Sequence, residues 1–124
     1  MKTIGIIVPC YNESENIHPL YEAIQSVFAE KLSEYSYTLL FVNDGSSDNT
    51  LEVLKSLVKS DVRVKYLSFS RNFGHQLAVK AGLDYSFADA VISMDCDLQH
   101  PPTLLPELIA KWEEGYQVVA TLRT

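Results

Sequence analysis

The chain has 124 residues, 47% of them hydrophobic, and a formal net charge of −6. That length supports one domain with a real core and no more. The acidic balance excludes the electrostatic footprint of a nucleic-acid binder and a basic surface for anionic lipid, and no apolar run approaches the ~18 residues of a membrane span.

The first apolar run, Ile4-Gly5-Ile6-Ile7-Val8, stops at Pro9 and is too short for a signal peptide. It reads as a strand over Ile4–Pro9, and the chain as cytoplasmic. A helix over Ile17–Glu34 follows, with Leu20, Ile24, Val27 and Phe28 on one stripe. Strand two is Thr38–Asn43. Helix two is Thr50–Lys59, with Leu51, Leu54, Leu57 and Val58 as its stripe and Ser47, Asp48 or Asn49 as its cap. Strand three is Val64–Phe69, helix three Gln76–Phe87 and strand four Ala90–Met94. Helix four is Leu104–Glu114, led in by Pro101 and Pro102 and ended by Gly115. Strand five is Gln117–Leu122. The runs at Ile4 and Leu39-Leu40-Phe41-Val42 are continuous rather than alternating, which marks strands covered on both faces. Strand–helix alternation of these lengths predicts right-handed βαβ units and a doubly wound, mostly parallel α/β sheet. Cys10 and Cys96 are far apart in sequence and predict free thiols rather than a disulfide framework.

In such a sheet, ligands bind at the carboxyl ends of the strands. Four polar loops occupy those ends: Pro9-Cys10-Tyr11-Asn12-Glu13, Asn43-Asp44-Gly45-Ser46, Ser70-Arg71-Asn72-Phe73-Gly74-His75, and Asp95-Cys96-Asp97-Leu98-Gln99-His100. Asp95 and Asp97 are two apart at a strand end, so both project to one side. Such a carboxylate pair suits Mg²⁺ or Mn²⁺, which in turn suits a diphosphate. A solvated acidic loop is the plain alternative. Asn43-Asp44-Gly45 is a turn signal. It either connects strand to helix or places Asp44 against a nucleobase or ribose, with Gly45 letting the ligand approach the backbone. Neither a G-x-G-x-x-G nor a P-loop lysine is present. Asn12 and Glu13 are ordinary residues of a helix lead-in. Tyr11 stacks on a base or packs under a loop. Arg71 is a cation at the rim, suited to a diphosphate or to an ion pair with a neighbouring carboxylate. Lys80 belongs to a solvated face. His18, His75 and His100 do not share zinc-ligand spacing with the cysteines.

Taken together, Pro9-x-Tyr11-Asn12-Glu13, Asn43-Asp44-Gly45-Ser46-x-Asp48-x-Thr50, Arg71-Asn72-x-Gly74 and Asp95-x-Asp97-x-Gln99-x-Pro101 resemble family 2 glycosyltransferases of the GT-A fold. The stretch Asp97-Leu98-Gln99-His100-Pro101-Pro102 is similar to the polyprenyl-phosphate branch, the dolichyl-phosphate mannose synthases and undecaprenyl-phosphate glucosyltransferases. The resemblance implies a Rossmann-like nucleotide-binding half of a GT-A domain over residues 1–124, with the acceptor side built by sequence beyond Thr124. It implies that Pro9, Tyr11, Asn12 and Glu13 hold the base and ribose, that Asp44 reads the base, and that Gly74 lies beside the nucleotide. Asp95, with Cys96 next to it, falls near the ribose and sugar, Asp97 and Gln99 are metal ligands at the diphosphate, and Arg123 reaches the donor phosphates. Asp95 and Asp97 are the residues of the catalytic D-x-D.

The implied reaction is transfer of a hexose, with inversion, from a nucleotide-diphosphate sugar (a UDP-sugar for preference) to a polyprenyl phosphate, using Mg²⁺ or Mn²⁺. The parent protein is then expected at the cytoplasmic face of the membrane. The alternatives are a nucleotide-binding module without turnover and transfer to a saccharide hydroxyl in cell-surface polysaccharide synthesis. A receiver-type signalling domain is disfavoured, because Cys10-Tyr11 and Ser70-Arg71 stand where its acidic residues belong. The isolated chain is expected to be inactive and to self-associate through an open sheet edge and an uncovered apolar face.

Overall fold

The continuous apolar runs form the interior of a parallel sheet. The computed structural model describes residues 2–85, 88–96 and 102–114, and the backbone of 121–122. Its elements are β1 (Thr3–Cys10), α1 (Ile17–Lys31), β2 (Ser36–Asn43), α2 (Thr50–Ser60), β3 (Val64–Ser68), α3 (His75–Tyr85), β4 (Ala90–Met94), a 3-10 turn (Pro102–Leu104), α4 (Leu105–Glu113) and β5 (Thr121–Leu122). The sheet order is β3-β2-β1-β4-β5, and every neighbouring pair is parallel. β1 runs beside β2 from Thr3↔Ser36 to Cys10↔Asn43 and beside β4 from Ile4↔Ala90 to Ile7↔Ser93. The chain therefore reverses its direction of travel across β1. That is the switch point at which α/β sheets leave a crevice.

An alternation is hidden inside the apolar run. Ile4, Ile6, Val8 and Cys10 join the main core with Leu39, Phe41, Ile92 and Met94, under side chains of α1, α2 and α4. Ile7 points to the other face and meets Val42 and Ala78 of α3. One face is thus covered by three helices and the other by α3 among the described residues. On the α3 face an apolar groove of about 420 Å³ stays open beside Gly5, Ile7, Thr38, Leu40, Leu67 and Tyr85. No described helix is long and apolar enough to cross a membrane.

The element boundaries differ from the expected ones where the chain must turn. α1 ends at Lys31 rather than Glu34. Leu32 leaves helical geometry (φ −132°), keeps its N–H on the Phe28 carbonyl and is buried. The turn that follows brings the Ser36 N–H to the Lys2 carbonyl at 3.0 Å, which starts β2. In α2, Leu54 and Leu57 are buried with Thr50, while Leu51 and Val58 are half-buried. Of the candidate caps, Asp48 acts: its Oδ1 accepts the Thr50 N–H at 3.0 Å, whereas Asn49 makes no side-chain cap bond. The Thr50 hydroxyl also donates to Asp48 and holds its carboxyl below the ordinary range. β3 ends at Ser68, one residue early, although the Phe69 N–H still donates to the Asn43 carbonyl at 2.8 Å. α4 starts after a 3-10 turn at Pro102, with Pro106 in its first turn, where a missing N–H costs nothing. The expected end of helix three at Phe87, Gly115, and most of the strand over Gln117–Leu122 lie outside the described residues.

The turn between α2 and β3 carries the shortest ion pair among the described residues. Arg63 grips Asp61 with two side-chain bonds, Nε to Oδ1 at 3.0 Å and Nη2 to Oδ2 at 2.8 Å. The Tyr21 hydroxyl donates to the same carboxylate at 2.6 Å. Arg63 also lies over the Tyr37 ring, 4.5 Å from its centre. Burial pushes the Tyr37 hydroxyl up to about 12. The Arg63 hydrogen bonds hold the Asp61 carboxyl well below its usual range. A depressed carboxyl stabilises the fold above its unfolded value of about 3.9 and loses that contribution as pH falls toward the folded value. Asp61→Ala should therefore cost about 1.5–3 kcal/mol at neutral pH, and the difference from wild type should shrink below about pH 3.9. Urea unfolding of both proteins across acidic pH checks this; a difference that persists unchanged to strong acid contradicts it.

Candidate functional site

The loops after β1, β2 and β3 are tied into one rim by their own polar side chains. Asn12 sits in left-handed geometry (φ 53°), which Asn tolerates better than most residues. Its N–H donates to Ser46 Oγ at 2.9 Å. Its Oδ1 accepts the Ser47 N–H at 2.8 Å and the Asp48 N–H at 3.3 Å. The Glu13 N–H donates to Thr50 Oγ1 at 3.2 Å, and the Ser14 N–H to Asp48 Oδ2 at 3.4 Å. Loop one therefore leans on loop two and on the first residue of α2 through these five bonds, and the Ser47 hydroxyl donates a further one to Asn12 Oδ1 at 3.3 Å.

Loop two in turn holds loop three. Asp44 is 3% exposed, and its backbone N–H donates to the Cys10 carbonyl at 2.8 Å. Its carboxylate accepts the Phe73 N–H at 2.7 Å, the Gly74 N–H at 3.0 Å and Asn72 Nδ2 at 3.2 Å. A buried carboxylate is costly unless it is met by donors of this kind. Asn43 adds a bond to Ser68 Oγ at 3.2 Å and accepts the Ser46 N–H at 3.2 Å. Gly45 has φ +71°, and a Cβ there would lie 2.1 Å from the Arg71 carbonyl carbon and 2.3 Å from the Asn72 nitrogen. The space that the turn signal reserved for an approaching ligand is filled by the Arg71–Asn72 backbone.

Between the loops lies a cavity of about 480 Å³. Loop one contributes Pro9, Cys10, Tyr11 and Glu13; loop two contributes Asp44. Loop three and the start of α3 contribute Asn72, Gly74 and His75, and the end of β4 contributes Asp95 and Cys96. Gly74 has φ +100°, and its missing Cβ faces open space. Cys10 and Cys96 are both free and buried. Hydrogen bonding to the Cys96 thiol, with burial, pushes the Cys10 thiol well above its ordinary range. The two cysteines, distant in sequence, thus meet in the cavity wall.

The sequence-derived residues divide accordingly. Pro9, Tyr11, Glu13, Asp44, Gly74, Asp95 and Cys96 line the cavity. Asn12 and Gly45 do not; they shape the rim, for the reasons of bonding and close approach given above. Arg71 does not line it either. It lies over the Phe73 ring, 4.7 Å from its centre, and among the described residues it makes no ion pair. Lys80 pairs with Asp84 on the exposed face of α3, as a solvated lysine should. Asp97, Gln99 and Arg123 lie outside the described residues. Asn72, His75 and Cys10 also enter the wall; their loops are expected at the rim, but none of the three carries a binding role in the sequence. The available signal for Asn72 was that a buried Asp44 needs donors, and for His75 that it follows Gly74 directly.

The described wall carries three carboxylates, Glu13, Asp44 and Asp95, and no lysine or arginine. Among the described residues no three His, Cys, Asp or Glu side chains converge as a metal site. Carboxylate oxygens are hard donors of the kind that Mg²⁺ or Mn²⁺ takes, and Asp95 is the described member of the D-x-D pair.

Comparison with known proteins agrees with this geometry. The uncharacterized glycosyltransferase YkcC of Bacillus subtilis (strain 168) is 49% identical over 120 residues, which is 97% of this chain and 36% of that protein. A bactoprenol glucosyl transferase of Shigella phage SfX is 42% identical over 121 residues, covering 98% of this chain and 39% of its own length. The chain thus spans little more than a third of the curated relatives it matches. The mannosyltransferase PcManGT from Pyrobaculum calidifontis, in complex with GDP-Man and Mn²⁺, superimposes with a TM-score of 0.71 at 18% identity, over 86% of this chain and 31% of that one. TarS of S. aureus in complex with UDP-GlcNAc gives 0.70 at 22% identity, over 92% and 32%. At those identities the likeness shows the fold, which is that of the GT-A glycosyltransferases. The sequence model of glycosyl transferase family 2 matches residues 5–124, and the chain belongs to that family.

Proposed function

We propose that this chain is the donor-binding part of a hexosyltransferase that takes a hexose from a nucleotide-diphosphate sugar, a UDP-sugar for preference, and transfers it with inversion to a polyprenyl phosphate. The observation that carries the reading is the cavity at the carboxyl ends of β1, β2 and β4, whose described wall brings together the carboxylates of Glu13, Asp44 and Asp95. A nucleoside diphosphate binds more tightly in such a wall when a cation offsets its charge. Mg²⁺ or Mn²⁺, held by Asp97 and Gln99 beside Asp95, would stabilise charge growing on the leaving diphosphate. Pro9, Tyr11 and Glu13 would bound the base and ribose, Asp44 would fix that end of the cavity, and Arg123 would reach the phosphates. The named bactoprenol glucosyl transferases among the relatives support a lipid-phosphate acceptor, and the GDP-Man and UDP-GlcNAc complexes of the structural neighbours support a nucleotide-sugar donor. A phosphate monoester has its second pKa near ~6 and is largely dianionic at neutral pH. Such an acceptor needs no strong general base, which is consistent with a site built around the leaving group. The work then belongs at the cytoplasmic face of the membrane, in cell-envelope synthesis.

A thermal-shift panel of UDP-, GDP- and dTDP-sugars with Mn²⁺ tests the donor. UDP-sugars should raise the melting temperature most; no shift with any of them overturns the reading. Asp97→Ala should lower metal-dependent affinity by on the order of tenfold or more, about 1.4 kcal/mol. Calorimetry with Mn²⁺ that finds equal binding by mutant and wild type refutes the metal assignment.

A further inference from the structure

One residue that lines the cavity carries a buried polar atom with no partner among the described residues. The Nε2 of His75 is buried and has no hydrogen-bond partner among the described residues, and His75 lines the cavity. Buried polar groups are almost always paired, so each exception asks for an explanation. Here the backbone leaves little room for adjustment. His75 opens α3 directly after Gly74, whose N–H is held by the Asp44 carboxylate at 3.0 Å. The Phe73 N–H is held by the same carboxylate at 2.7 Å. The imidazole of this lining residue is thus carried on a fixed support, with an unmet bonding position on its buried Nε2.

We infer that His75 is a nucleoside-recognition residue, its Nε2 completed by a polar group on the base or ribose of the donor. The inference rests on the reading of the cavity as a nucleotide-sugar site. Placement favours the nucleoside over the diphosphate. His75 hangs from the loop that Asp44 grips, after β2 and β3, whereas Asp95 follows β4 on the other side of β1. A neutral imidazole nitrogen offers a single donor or acceptor. That matches one edge atom or one hydroxyl. His75 does not share zinc-ligand spacing with the cysteines, which says nothing of a role as a single hydrogen-bonding group.

Calorimetry with UDP, uridine and pyrophosphate, on wild type, His75→Phe and His75→Gln, tests the assignment. Phenylalanine keeps a planar ring without nitrogens, so a role in packing alone would leave binding intact. His75→Phe should weaken both uridine and UDP by about tenfold, or about 1.4 kcal/mol, with His75→Gln recovering part of the loss. Imidazole ¹⁵N signals of wild-type His75 should move on uridine addition, a readout that does not depend on any variant folding. Unchanged UDP affinity in His75→Phe, or static ¹⁵N signals at saturating uridine, overturns the inference. A loss seen with UDP and pyrophosphate but not uridine also overturns it and moves His75 to the phosphates. Wild type that binds neither UDP nor uridine in Mn²⁺ overturns the nucleotide-sugar reading itself, and this inference with it.

Discussion

Gly45→Ala should lower the melting temperature by on the order of 10 °C, because a destabilisation of about 3 kcal/mol moves a domain of this size that far. Two costs add. A non-glycine residue held at φ +71° is strained by about 1–3 kcal/mol. The new methyl would also fall 2.1–2.6 Å from the Arg71 carbonyl carbon, Arg71 Cα and the Asn72 nitrogen. These are backbone atoms, so no side chain can swing aside, and overpacking of this kind costs about 1–3 kcal/mol more. Gly74→Ala separates the two costs. Its φ is +100°, but its Cβ would meet nothing within 4 Å, so it carries the backbone strain without the overlap. Calorimetric melting of both variants checks the pair. Equal losses at the two positions would mean that the Arg71–Asn72 crossing does not press on Gly45.

Asp44→Ala should weaken nucleotide binding by more than tenfold, over about 1.4 kcal/mol, equally in Mn²⁺ and in EDTA. The cause is mechanical as well as chemical. The carboxylate accepts two backbone N–H groups and the Asn72 amide. Its loss strands donors that each cost about 1–3 kcal/mol when buried and unmet, and the Asn72–His75 wall of the cavity loses its anchor. Asp44→Asn replaces one acceptor oxygen with a donor, so it serves Phe73 or Gly74 but not both, and it should fall between wild type and alanine. Binding measured in both buffers decides the matter. A loss that disappears in EDTA would tie Asp44 to the metal instead of to the loop.

These two residues also show where sequence reading stops. The alternation of apolar and amphipathic runs specified the elements, because burial on both faces of a parallel strand leaves an unmistakable continuous run at Ile4–Val8 and Leu39–Val42. It also specified that the polar loops share one rim, since the carboxyl ends of parallel strands all point the same way. Seven of the expected residues, Pro9, Tyr11, Glu13, Asp44, Gly74, Asp95 and Cys96, do line one cavity. What each rim residue touches was not legible. Asn12, Gly45 and Arg71 carry the same local signals as binding residues, but their partners are 34 residues away at Ser46 for Asn12, the crossing backbone for Gly45 and Phe73 for Arg71. The meeting of Cys10 with Cys96 and the unmet Nε2 of His75 are of the same kind. Periodicity is a property of consecutive residues and survives in the sequence. Contact between loops depends on how β2, β1 and β4 are ordered and on how closely one backbone crosses another, and the tertiary structure alone decided that.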